Sequence, residues 1–404
     1  MRKIGIIGAG ASGLYAALNL VNDDTDITIL EKNDSIGKKL LMTGNARCNI
    51  SNAKYYDDFL ENIIHNQKFI FSSFNKHDNY ASMDFYNSLG LELVTEENDR
   101  VFPKTQKSID VVKFFEKNLI KNNIKLVTEA KVMEIEKDDS FSVFTDDKVY
   151  NFDYLIIATG GLSYPSTGSS GDGYNFAKKF GHAITKTYPS LVPIYFKDKD
   201  LYDIKALNLE DISINIETDK ATFSQKGSAL LTKNFLTGPS ILNISSHLVD
   251  KKINNISIDL LETNYEKLDQ LLLENFNINP KKDISNILKE IIPQALVKTI
   301  LLRSDISHNK KAGQINREER INIEKNIKNF ELKFDRFGGF NTAVITRGGI
   351  DVNEVNPKTM ESKYISNLYF IGEILDIDAL TGGFNLQLAF TTAYAAADAI
   401  KETL

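Results

Sequence analysis

Near the start of the chain, Gly8-Ala9-Gly10-Ala11-Ser12-Gly13 separates two apolar runs of different period. Lys3 to Ile7 reads as a buried strand. Ala11 to Leu20 reads as a helix with Leu14, Ala17, Leu18 and Val21 on one face. The next strand, Ile27 to Leu30, ends at Glu31, 18 residues after Gly13. Strand, glycine turn, helix and a carboxylate at that spacing form a dinucleotide fingerprint. Gly8 permits the tight turn, Gly10 lets the backbone approach a pyrophosphate, and Gly13 lets helix and strand pack closely. The helix start, with Ala11 and Ser12, offers N–H groups and a positive dipole end to phosphates. Glu31, followed by Lys32, can accept hydrogen bonds from ribose hydroxyls and disfavours a 2′-phosphate.

The chain has 404 residues, which suggests two or three domains. Residues 1–188 read as alternating strands and helices, the pattern of a parallel sheet. Further strands are expected at Lys125 to Val127, Lys131 to Ile135, Phe141 to Phe144 and Tyr154 to Ala158. Beyond Pro189 the period changes to two: Ile212, Ile214 and Ile216 alternate with polar residues, as do Ile256, Ile258 and Leu260. From about 264 the period is helical, with Ile284, Ile287, Leu288 and Ile291 interrupted by Pro293, then a weaker stripe at Ile323, Ile327 and Phe330. Strand-like sequence returns at Ala343, and a helix begins near Leu386. The expected fold is α/β. A Rossmann-like nucleotide-binding domain (1–188 and 343–404) holds an inserted β subdomain (189–262, completed by 330–342) and a helical subdomain (263–329).

Composition limits the alternatives. The 42% apolar and 25% charged content is that of a folded globular chain. No run approaches the length of a membrane helix, and Ile4–Gly8 is too short for a signal peptide, so a cytoplasmic protein is expected. A net charge of −6 argues against a nucleic-acid partner, and the short basic run at Lys310-Lys311 reads as a solvated face. Cys48 has no partner cysteine. His65, His77, His182, His247 and His308 show no metal-ligand spacing, so no metal is expected. His182 follows a helix and is expected to cap its C-terminal end.

Four later blocks bear on which dinucleotide is bound. They are Gly37–Asn49 (GKKLLMTGNARCN), Ala158–Pro165 (ATGGLSYP) continuing through Gly171-Asp172-Gly173-Tyr174, Thr346–Ile350 (TRGGI), and Leu368–Glu373 (LYFIGE) running to Thr381–Gln387 (TGGFNLQ). In family order and over nearly the whole chain, they resemble a bacterial flavoprotein family of aminoacetone oxidases and BaiN-type reductases of dehydro bile acids. More distantly, the chain is similar to fumarate reductase and L-aspartate oxidase flavoproteins. The resemblance implies FAD. It places Lys39, Gly44, Asn45, Arg47, Cys48 and Asn49 along the pyrophosphate and flavin edge, and Val132 near the adenine. Thr159, Gly160, Gly161, Asp172, Gly372 and Glu373 fall in cofactor-contacting blocks, and Gly383, Asn385 and Leu386 at the flavin ring. Glycines before an alanine-rich helix also suit a flat ring on their own account, since the helix N-terminus would stabilise negative charge on reduced flavin. The pattern breaks once: where family members carry Thr-His-x-Gly, this chain has Thr232-Lys233-Asn234-Phe235. That puts in doubt any proton-transfer role of the missing histidine.

Arg347, Lys233 and Tyr164 are the candidate substrate-contacting or catalytic residues. Arg47 reads first as a phosphate neutraliser, Cys48 as a packed thiol, and Tyr174 as a pocket-lining ring. Substrate is expected over the flavin, in a cleft edged by the Lys233–Pro239 loop and reached by Arg347. Three readings follow. One is a reductase that passes hydride from NAD(P)H to an activated C=C of a small organic substrate; no second fingerprint provides a separate NAD(P)H domain. The others are an oxygen-dependent amine oxidase and a flavin-binding regulatory protein without turnover. Oligomeric state is left open. All three predict a yellow protein that releases FAD rather than FMN on denaturation. Chromatography of the released flavin checks this; a colourless protein that ignores added FAD would contradict it.

Overall fold

The computed structural model describes residues 1–404 and divides into two compact units, Met1–Ser190 with Phe340–Leu404, and Leu191–Gly339. In the first unit the fingerprint strand (Arg2–Ile7) lies inside a five-stranded parallel sheet. The order is Leu368–Phe370, Tyr154–Ile157, Arg2–Ile7, Thr25–Leu30, Lys125–Val127. Ile4, Ile6, Leu155, Ile156, Ile157, Leu368 and Phe370 are fully buried, as expected where helices cover both faces of a sheet. The C-terminal strand thus hydrogen-bonds directly to a strand from the first half of the chain.

Not all of residues 1–188 follow the expected parallel alternation. Val132–Lys137, Phe141–Thr145 and Val149–Phe152 form a separate antiparallel meander. Connections of a few residues can close only antiparallel pairs; a parallel neighbour would need a crossover of a dozen or more. Phe152 from this meander covers Gly5, where an added Cβ would lie 2.4 Å from the ring.

The unit from Leu191 to Gly339 contains a seven-stranded antiparallel sheet. Its order is Phe330–Leu332, Ile253–Asp259, Leu207–Thr218, Thr222–Leu231, Phe235–Thr237, Ile194–Phe196, Phe334–Phe337. Ile212, Ile214, Ile216, Ile256 and Ile258 all point into its core, where Leu268, Leu272, Ile287 and Leu288 join them from helices. Two details differ from the sequence expectation. The helix Ile284–Leu288 stops before Ile291, and a new helix, Gln294–Arg303, starts directly after Pro293, whose ring fits a helix start. Phe330 belongs to a strand, because the helix Arg317–Lys328 ends at Asn329.

The fingerprint helix (Ala11–Asn19) packs on the closing helix (Phe384–Glu402) through aromatic rings. Phe390 stacks on Tyr15 at 4.8 Å between centroids and meets Tyr86 edge-on at 5.4 Å. Phe390 is fully enclosed, so Phe390→Ala should cost about 3–5 kcal/mol of stability through lost burial and a residual cavity. Urea unfolding of the variant checks this; a loss within ~0.5 kcal/mol, the range of an ordinary surface change, would contradict it.

Candidate functional site

The three fingerprint glycines have three different surroundings. Gly8 has φ +107° and would put a Cβ 2.6 Å from the Ala158 carbonyl oxygen. A Cβ on Gly13 would sit 2.0 Å from the Gly8 carbonyl oxygen. At Gly10 a Cβ would meet nothing within 4 Å, so the space in front of the helix start is open. Gly10 is the N-cap and no side chain caps that end, which leaves the first-turn N–H groups for an anion. Glu31, 7% exposed, shapes the turn: Oε2 accepts from the Ala9 N–H at 2.7 Å, and Oε1 accepts from the Asn33 N–H at 2.9 Å and its amide at 2.7 Å. A carboxylate has about four acceptor sites, so capacity remains for a ribose hydroxyl. Beside it Lys32 pairs with Asp172 at 2.7 Å. Burial opposes ionisation of Asp172, but the Lys32 ammonium and the Ser170 hydroxyl outweigh it and hold the carboxyl below its ordinary range.

A second polar node joins four of the sequence blocks. Glu373 takes the Lys39 ammonium, the Ser163 hydroxyl at 2.5 Å and the Thr346 N–H at 2.9 Å. The Thr346 hydroxyl accepts from the Leu162 and Ser163 N–H groups at 2.7 and 3.0 Å. Gly161 is obligatory there, since a Cβ would lie 2.5 Å from Thr346 Oγ1. Gly160 and Gly372 both have positive φ, and the Gly372 N–H donates to Thr392 of the closing helix at 3.0 Å.

Gly44, Asn45, Ala46 and Cys48 all adopt left-handed backbone, bending the loop tightly before Asn49. Cys48 is fully buried, and burial pushes its thiol up to about 11, so it is packed and protonated. Asn49 Oδ1 and Thr159 Oγ1 are buried polar atoms without a protein partner. Such orphans call for a ligand or water. Together with the open ground before Gly10, they fit a dinucleotide whose ends lie in different blocks.

Several other candidate residues have protein partners. Arg47 forks onto Glu96 at 2.6 and 2.7 Å, donates to Gln106 and covers the Phe102 ring at 4.1 Å. Asn385 grips the preceding loop, accepting from the Ala379 N–H at 2.9 Å and donating to the Ala379 and Leu380 carbonyls; Leu386 beside it is half-buried. Val132 is buried at the start of the meander, paired with Thr145. His182 does not cap with its side chain: its backbone N–H closes the helix end on Ala177. Its ring meets Ser362 at 2.8 Å and Glu354 at 3.3 Å.

Of the candidate catalytic residues, Arg347 ends the strand Ile345–Arg347, opposite Tyr188, with the guanidinium 6.0 Å from that ring. Tyr164 is half-buried at a left-handed turn and tied through its N–H to the Phe340 carbonyl. Lys233 is exposed at the tip of a tight turn closed by Thr232 and Phe235. No spacing rule could have singled out one further pair. His65 Nδ1 lies 2.6 Å from Asp378 Oδ1, across 313 residues of chain. Asp378 is fully buried and His65 is a quarter exposed.

A family model, the HI0933-like protein Rossmann domain, matches residues 2–399. A 3-dehydro-bile acid delta(4,6)-reductase of Clostridium scindens is 28% identical over all of both chains. A ribosomal RNA dihydrouridine synthase of Haemophilus influenzae is 28% identical over 98% of each chain. The solved 3-ketosteroid delta1-dehydrogenase of Sterolibacterium denitrificans shares the fold, with a TM-score of 0.53 at 10% identity over the full length of both chains. With the fingerprint geometry, these matches make FAD the cofactor.

Glu31→Ala should therefore weaken FAD binding by about tenfold or more, the scale of a lost hydrogen bond to a charged group. It should also lower stability, because the Ala9 N–H loses its buried acceptor. Fluorescence titration with FAD checks the first effect; unchanged affinity would remove Glu31 from the site.

Proposed function

The chain belongs to the HI0933-like Rossmann family of FAD-dependent oxidoreductases, and we propose that it saturates a carbon–carbon double bond conjugated to a carbonyl, with NAD(P)H as electron donor. The observation that carries this reading is chemical. The curated relatives named above have two unlike substrates, a 3-dehydro bile acid and ribosomal RNA. In a 3-oxo-4,6-diene and in the uracil of uridine alike, the bond to be saturated is polarised by a neighbouring carbonyl.

The residues divide the work. The Gly10–Gly13 helix start would hold the pyrophosphate, Glu31 the ribose, and Val132 the adenine through its backbone. The Gly44–Asn49 loop and the Gly383–Leu386 turn would hold the ring end, where Asn49 Oδ1 has a polar atom to spare. FAD bound there supplies two electrons as a hydride. The start of the closing helix would place positive dipole beside the ring and so favour the anionic, reduced form. Arg347 would orient the substrate carbonyl, and Tyr164 would line the same space.

A small enone is the favoured substrate, consistent with the acidic charge of the chain. The Haemophilus influenzae synthase acting on ribosomal RNA supports a second reading, in which the double bond belongs to a uracil base. Anaerobic stopped-flow decides among these. NAD(P)H should bleach the visible flavin band, and an enone should restore it. Restoration by ribosomal RNA but by no enone would establish the second reading. Rapid reoxidation by oxygen alone, with an amine as the effective reductant, would replace both with the oxidase.

A further inference from the structure

Hydride transfer completes only half of a double-bond reduction; the neighbouring carbon also needs a proton. We infer that His65, held by Asp378, donates it. The inference rests on the double-bond reading above and goes beyond it by naming the acid.

Asp378 lies at the start of a two-residue strand, Asp378–Ala379, that pairs with Ile63–His65. Its Oδ1 meets His65 Nδ1 at 2.6 Å, and its Oδ2 is 3.5 Å from the Ser190 hydroxyl. Fully buried, the carboxylate can hold the imidazole by one nitrogen only, so Nε2 is left to project from the pair. This is the arrangement of a base whose ring is oriented by a carboxylate behind it. The carboxylate is sealed while the imidazole is a quarter exposed, so the ring can be reached by a small molecule.

The surrounding chain connects the pair to the proposed ring position. Ala379, next to Asp378, is gripped by Asn385 at the first turn of the closing helix. The Leu380 N–H donates to Asn62, just before the histidine strand. On the other side the strand Ile345–Arg347 packs against Asp378–Ala379, and its partner strand Tyr188–Ser190 supplies Ser190. The pair therefore stands between the turn assigned to the flavin ring and the strand that carries Arg347. Asn66 fixes the local backbone by donating to the Asp376 carbonyl at 2.6 Å.

The step balances as follows. The β-carbon of the enone gains hydride from reduced FAD, and the π pair moves toward the carbonyl to give an enolate oriented by Arg347. The His65 Nε2–H bond breaks, its proton forms the new α-C–H bond, and the electron pair stays on nitrogen. The imidazole regains a proton from water, and NAD(P)H restores reduced FAD. Asp378 is a positioning residue, since it acts only through His65.

The test uses the holoenzyme. In His65→Ala, reoxidation of the reduced flavin by cyclohexenone should slow by about 100-fold or more, the usual contribution of a positioned acid. Flavin reduction by NADPH is measured alongside as the reference. Added imidazole should restore part of the rate, which a purely structural loss would not allow. Asp378→Asn should lower kcat more than it raises KM. A readout independent of turnover is acylation by diethylpyrocarbonate, mapped by peptide mass. Cyclohexenone should protect His65 and leave exposed His308 as reactive as before. Wild-type enzyme that no enone or uridine reoxidises would sink the double-bond reading and this inference with it. Wild-type reoxidation matched by His65→Ala, or a His65 acylated equally with and without enone, would overturn the inference alone.

Discussion

The carboxylate of Glu373 is the point on which the arrangement of the cofactor-binding unit depends. Through Lys39, Ser163 and Thr346 it ties together segments that the chain makes hundreds of residues apart. The cost of desolvating an ion pair in such a place is offset only when the remaining lone pairs find donors, and Lys39, Ser163 and Thr346 occupy three of the roughly four acceptor sites here. Because the interaction is directional, it sets the relative position of these segments more sharply than apolar packing could. Glycines at 161 and 372 are a consequence. The segments come so close that a Cβ at either position would run into Thr346 Oγ1 or Ser12 Oγ.

The Glu31 carboxylate has a double use at the fingerprint turn. It accepts from the Ala9 N–H within the glycine turn before any ribose arrives. The turn is thus held in shape by the same group that would read the ligand, which reduces the ordering cost of binding. Asp172 plays a lesser part by pairing with Lys32 beside the fingerprint.

Sequence reading succeeded where one local rule acts. The fingerprint glycines, Glu31 and the period-two strands around Ile214 and Ile258 each follow from spacing, because turn geometry and the pleat impose it directly. It says least where the deciding contact is remote. Arg47 has a choice between a phosphate and Glu96, and only the fold shows that Glu96 and Gln106 surround its guanidinium. Asn385 sits beside conspicuous glycines yet spends its amide on Ala379 and Leu380. His65 and Asp378 belong to no motif, and strand pairing alone unites them. Two strands of the meander, Val132–Lys137 and Phe141–Thr145, were legible as strands but not as antiparallel, since alternation reports burial on one face and not the direction of the neighbour, and the third, Val149–Phe152, was not foreseen.

The closing helix shows why an apolar interior still needs polar members. Its alanines let it lie close to the fingerprint helix, but small apolar residues fit almost equally well after a slip of one turn. Gln387 removes that freedom. Its Oε1 accepts from Ser51 at 2.8 Å, and its Nε2 donates to Ser82 at 2.8 Å and to the Asp78 carbonyl and Thr391 hydroxyl at 3.1 Å. Farther along, Tyr394 stacks on His77 at 4.1 Å, and burial pushes that imidazole down to about 4. The ring is therefore neutral near pH 7, and its Nε2 can accept from the Tyr15 hydroxyl at 2.6 Å, which burial keeps protonated. A one-turn slip would leave several of these buried groups unpaired, at about 1–3 kcal/mol each. The register of the helix, and with it the position of the Gly382–Asn385 turn at its start, is fixed by polar groups deep in the unit.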